Sequence, residues 1–78
     1  MDTIGDRLRR VRERKLITQA DLSAESGVTE ATISRIENGQ TGPTRPSTAR
    51  KLAQVLGVDP VWLMFGEEES EGKVLAAA

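Results

Sequence analysis

The chain contains no cysteine and no histidine. No disulfide or thiolate site is available to staple the fold, and zinc centres, Ser-His-Asp triads and Cys-His pairs are excluded by residue inventory alone. No glycine-rich phosphate loop occurs, and the carboxylates fall singly along helix faces, so no acid/base pair is supported and no enzyme is expected. No apolar run exceeds five residues, as in Val61 to Phe65, far short of a membrane span, and no signal-peptide pattern leads the first helix. These absences predict a soluble cytoplasmic protein with no metal, cofactor, small-molecule ligand or membrane partner.

What remains is a 78-residue chain, one small domain near the lower limit for folding without staples. Its net charge of −1 hides an uneven distribution. Residues 1–66 carry ten Lys/Arg against eight Asp/Glu, a net +2, whereas residues 67–78 carry four Glu and one Lys, a net −3. The body is mildly basic and the acidity belongs to a tail without periodic pattern, expected to be disordered. The domain is therefore assigned to residues 1–66 and the tail to 67–78. A surplus of two charges cannot hold duplex DNA by bulk attraction; basic residues would have to stand at individual phosphates.

Apolar spacing and punctuation predict five helices and no strand. From Thr3 to Lys15, Ile4, Leu8, Val11 and Leu16 recur at helical intervals, with Arg7, Arg10 and Arg14 assigned to the other side. Thr18 is an N-cap with Asp21 completing a capping box, and Gly27 closes that second helix around Leu22. Thr29 caps a third helix, in which Ile33 and Ile36 face inward and Asn38-Gly39 ends the run. Gln40 to Pro46 is a loop. Ser47 is expected to cap a fourth helix with Ala49, Leu52, Ala53 and Leu56 on one face, ended by Gly57. Asp59-Pro60 starts a short fifth helix. The expected core is Ile4, Leu8, Val11, Leu16, Leu22, Val28, Ile33, Ile36, Leu52, Leu56, Val58 and Leu63, with part of Trp62.

Only Gly27, Val28 and Thr29 separate the second helix from the third, which forces the two to cross steeply and holds one outward. The spacing Thr-Gln-x-x-Leu-x-x-x-x-Gly-Val-Thr-x-x-x-Ile-Ser-x-Ile-Glu-x-Gly from Thr18 to Gly39, followed by Leu52-Ala-x-x-Leu-Gly-Val, resembles the phage repressor/Cro-like (XRE) helix-turn-helix family. That resemblance runs from about Ile4 to Gly66. It implies an all-α, compact five-helix bundle of the lambda-repressor-like type, in which helices 2 and 3 form the helix-turn-helix. The chain departs from the pattern at Ser23, where alanine is usual, and in a loop lengthened by about one residue around Gly42-Pro43.

The resemblance also implies site residues. Base contacts are expected at Thr29, Glu30, Ala31, Ser34 and Arg35 of the recognition helix. Phosphate contacts are expected at Gln19 and, in the following loop, at Asn38, Gln40, Thr41, Thr44 and Arg45. Arg12 and Glu37 match a structural ion pair between the first and third helices. Arg35 suits guanine, whose O6 and N7 accept a bidentate guanidinium; Ala31 offers only a methyl to thymine. Glu30 has two readings, an acceptor for cytosine N4 or a first-turn carboxylate favoured by the helix dipole, and the second weighs more. Thr29 is a cap first.

Trp62, Met64 and Phe65 exceed what a terminal helix needs for its core and predict a homodimer interface. The expected function is a sequence-specific DNA-binding transcriptional regulator, a repressor that binds an inverted-repeat operator in double-stranded DNA as a homodimer. A narrower alternative is an antitoxin or restriction-modification controller. From another class comes a protein-interaction adaptor that reads no DNA.

Overall fold

The computed structural model describes residues 2–40 and 42–66. Met1, Thr41 and residues 67–78 lie outside them, and so do the expected contact at Thr41 and the expected disorder of the tail. Five helices follow in order: α1 (Ile4–Arg14), α2 (Gln19–Ser26), α3 (Glu30–Glu37), α4 (Pro46–Leu56) and α5 (Pro60–Phe65). No strand occurs among the described residues.

Short polar side chains start most of these helices. Thr18 Oγ1 accepts from the Asp21 amide and Asp21 Oδ2 from the Thr18 amide, both at 3.0 Å. Thr3 and Asp6 build the same reciprocal box at α1, at 3.1 Å. In each, the backbone and side-chain hydrogen bonds of the threonine hold the aspartate below its ordinary pKa. Asp59 caps α5 by accepting from the Val61 amide at 3.0 Å. At α4 the expectation fails. Arg45, not Ser47, is the N-cap, and it makes no side-chain capping bond. Pro46 opens the helix, because its fixed φ and missing N–H suit the first helical position, leaving Ser47 inside the first turn.

The core lies where the helices meet: α1 packs on α3 and α5, α2 on α3 and α4, and α4 on α5. Leu8, Leu22, Ile33, Leu52, Leu56 and Leu63 are fully buried, with Val11, Val28, Ile36 and Trp62 closing around them. Ile4 and Val58 are only partly buried against this cluster. Gly5 sits where α1 crosses α3, and a Cβ there would run into the carbonyl oxygen of Ile36.

Two expectations for α1 are corrected. Leu16 is 90% exposed, because the apolar stripe ends with the helix. The chain leaves α1 through a Schellman turn, in which the Leu16 amide bonds Glu13 O at 3.0 Å and the Ile17 amide bonds Arg12 O at 3.3 Å. Leu16 takes the left-handed position, φ 58°, which turns its side chain out and leaves Ile17 against the core. Arg7, read as part of the solvated face, is buried. Its guanidinium donates to Leu63 O (2.9 Å), Met64 O (2.8 Å) and Asp2 O (2.8 Å), and so satisfies the last carbonyls of α5.

Candidate nucleic-acid interface

The third helix is held from behind. Ile33 and Ile36 enter the core, and Glu37, a charged residue, is buried beside them. Its carboxylate accepts from Arg12 Nε at 2.7 Å and Arg12 Nη2 at 3.0 Å, from Gln19 Nε2 at 3.1 Å and from Arg9 Nε at 3.4 Å. Burial pushes the Glu37 pKa up, but the hydrogen bonds from Arg12 and Gln19, the charge of Arg12 and the bond from Arg9 bring it below the ordinary glutamate value. The same pairing raises the Arg12 pKa. Arg12 Nη1 also donates to Ile17 O at 2.9 Å. One buried carboxylate thus ties α1, the turn after it, and α2 to the end of α3.

With one side fixed, the other faces solvent. At 100° per residue, the arc opposite Ile33, Ile36 and Glu37 carries Ser34, Asn38, Ala31, Arg35 and Thr32. Ala31, Arg35 and Asn38 are exposed; Ser34 and Thr32 flank them half-buried. Glu30 lies at the margin and lines a shallow groove with Leu16, Ile17 and Gln19. Arg35 lines a second concavity with Thr32, Pro43, Thr44, Arg45 and Thr48. Neither Arg35 nor Arg45 is in an ion pair among the described residues.

Some expected contact residues are already hydrogen-bonded within the protein. The Thr29 hydroxyl accepts from the Thr32 amide at 3.2 Å and donates to Thr32 Oγ1 at 2.9 Å, so its one hydrogen serves the helix start. Asn38 is also engaged: Oδ1 accepts from Arg9 Nη2 at 3.2 Å and Nδ2 donates to Ser34 Oγ at 3.3 Å. Gln40 and Thr44 stand on the loop, Gln40 exposed and Thr44 half-buried. Gly39, φ 69°, turns the chain out of α3, with the Gln40 amide bonded to Arg35 O at 2.9 Å. Thr32 and Thr48 are not among the residues that the sequence pattern points to. Thr32 carried a signal, a polar residue three positions before Arg35 on one helix face.

The arrangement is two helices joined by the three residues 27–29, the second bolted down and showing one face outward. The family described as helix-turn-helix matches residues 8–63. The chain belongs to the helix-turn-helix family. It is 43% identical over 65 residues to the HTH-type transcriptional repressor RghR of Bacillus subtilis, an alignment covering 83% of this chain and 48% of that protein. The chain spans about half the length of RghR and of several other curated relatives it matches. Among solved structures, it resembles the P22 c2 repressor in complex with synthetic operator 9T, at 30% identity and TM-score 0.76, covering 86% of this chain and all of that one. It also resembles the N-terminal DNA-binding domain of SinR from Bacillus subtilis, at 27% identity and TM-score 0.74, covering 77% and 87%. In helix-turn-helix terms, α2 and α3 are the first and second helices of the motif.

Away from α3, one dimer residue is corrected. Trp62 is only 5% exposed and belongs to the core, because α5 turns it inward beside Leu63. Phe65 is 64% exposed and Val61 47%, with Met64 half-buried. These three line a shallow apolar groove with Pro46, Arg50 and Pro60. No helix among the described residues is long and apolar enough to cross a membrane.

Proposed function

We propose that the chain is a sequence-specific DNA-binding transcriptional repressor that lays α3 in the major groove of an operator. The observation that carries this reading is the two-sidedness of α3: Ile33, Ile36 and Glu37 anchor one side, and Ala31 and Arg35 stand in solvent on the other. An anchored helix with an unpaired guanidinium on its outer face matches what groove reading requires. The family supports it, as do the repressor name of RghR and the operator complex of the P22 c2 repressor.

Arg35 is assigned to a guanine edge, with Ala31 and Ser34 beside it and Glu30 at the margin. Gln19, Gln40, Thr44 and Arg45 are assigned to phosphates. Gln19 stands in the first turn of α2, where amides without intrahelical acceptors favour an anion, and its side chain is oriented by Glu37. Asn38, whose Nδ2 keeps a second hydrogen, is assigned to a phosphate as well, whereas the Thr29 hydroxyl hydrogen is spent on Thr32.

The apolar surface of Val61, Met64 and Phe65 is assigned to a two-fold homodimer, which would place two recognition helices about 34 Å apart on an inverted repeat. Selection from a random duplex pool tests the whole reading. An enriched inverted repeat is the expected result, and a pool bound without enrichment would refute it. Sedimentation tests the dimer separately: a strict monomer at high micromolar concentration, with and without the selected duplex, would remove it.

A further inference from the structure

The hydrogen bonds on α3 carry directional information about what its outer face can recognise. Thr32 Oγ1 receives the Thr29 hydroxyl at 2.9 Å, and Ser34 Oγ receives Asn38 Nδ2 at 3.3 Å. In both residues the oxygen is held by a protein donor, which leaves the hydroxyl hydrogen to point elsewhere. Arg35, between them on the arc, has donors only. Ala31 contributes a methyl. The carboxylate nearest this face, Glu30, lies on the groove with Leu16 and Gln19, away from the concavity that Thr32 shares with Arg35.

We infer that Thr32 is a specificity-determining residue of α3: its hydroxyl donates to a base-edge acceptor next to the one read by Arg35. The Arg35 guanidinium and the Thr32 hydroxyl hydrogen together favour adjacent acceptors, purine N7, guanine O6 or thymine O4, over the donors cytosine N4 and adenine N6 at those two positions. This inference rests on the DNA-reading function proposed above and assigns to Thr32 a role beyond helix geometry. Thr29 is its positioning residue, because the Thr29 hydroxyl, already accepting from the Thr32 amide, fixes the direction in which Thr32 Oγ1 can donate.

The test uses the full chain on the duplex selected from the random pool, with Thr32→Val and Thr32→Ser. Valine keeps the shape and loses the hydroxyl; serine keeps the hydroxyl. Thr32→Val is expected to lose about three- to ten-fold in affinity and to relax preference at one base pair per half-site, whereas Thr32→Ser retains that preference. If the acceptor is a purine N7, replacing that purine by its 7-deaza analogue weakens the wild type and leaves Thr32→Val unaffected. If it is O6 or O4, Thr32→Val accepts the alternative base there. An unchanged base preference in Thr32→Val would overturn the inference, as would an equal loss on every sequence, which would mark a phosphate contact. Circular dichroism and thermal melting of the variants separate either result from misfolding. A wild type that enriches no sequence would instead sink the DNA-reading function itself.

Discussion

The Gln19 side-chain amide at the start of α2 donates to the Glu37 carboxylate at the end of α3 across 3.1 Å. α2 and α3 therefore share one buried anion, which Arg12 and Arg9 also hold from α1. Removing that anion leaves the Arg12 guanidinium, itself largely buried, without its partner. Glu37→Ala should destabilise the fold by about 3–5 kcal/mol. Urea unfolding followed through the buried Trp62 would measure it, and a loss below 1 kcal/mol would contradict the clamp.

Acid should weaken the fold for the same reason. Glu37, Asp6 and Asp21 all have pKa values lowered in the folded chain. Each therefore binds its proton less readily when folded than when unfolded. Their contribution is fully present above the ordinary carboxylate range, about 4–4.5, and is lost as pH falls through the lower folded values. Melting temperature should be flat from pH 7 to about 5 and fall below that. Glu37→Gln should show a shallower acid limb than the wild type; an identical limb would remove Glu37 from the account.

Gly5→Ala adds one methyl against the Ile36 carbonyl, a backbone atom that can yield only if α1 and α3 separate. A loss of about 1–3 kcal/mol is expected, even though alanine favours a helix. Equilibrium unfolding is the check, and an unchanged or raised stability would show that the two helices can slide apart freely.

Leu16 fills, at the end of α1, the left-handed position that Gly39 fills at the end of α3. Leucine is strained there and its side chain is in solvent. Leu16→Gly should raise stability by about 0.5–1 kcal/mol, the relief of strain outweighing the entropy glycine loses on folding. That corresponds to a few degrees in thermal midpoint, about 4–8 °C per kcal/mol for a domain of this size. A lower midpoint would point to a contact made by the leucine side chain.

Arg35→Ala and Arg45→Ala should separate base reading from backbone attraction. The first should cost about 1–3 kcal/mol on the selected duplex and relax preference at one base pair. The second should weaken all duplexes alike and reduce the salt slope by about one. Binding isotherms on selected and scrambled duplex at several salt concentrations give both quantities. Equal losses on the two duplexes for Arg35→Ala would contradict its base contact.

Local signals were enough for most of the architecture. Thr18-Asp21, Gly27, Thr29, Gly57 and Asp59-Pro60 each act within a few residues, so their roles can be read before any tertiary contact is known. Leu16 misled because periodicity cannot see a helix end closed by a non-glycine residue at positive φ. Arg7 misled because burial of a guanidinium depends on carbonyls more than fifty positions away, at Leu63 and Met64. Trp62 and Phe65 are three apart on a six-residue helix, and which of them turns inward depends on how α5 docks on α4. On α3, the resemblance located the outer face but not the Thr29–Thr32 and Asn38–Ser34 bonds, which decide which hydroxyls remain to face a partner.

Arg7 joins the two ends of the domain, since Asp2 precedes α1 and Leu63 and Met64 close α5. Gly66, at the exit, lies so close to that guanidinium that any side chain would displace it. A change in the residues just before α1 would therefore be felt at α5. The Phe65 surface and the departure point of the following chain are thus coupled to the residues that precede α1.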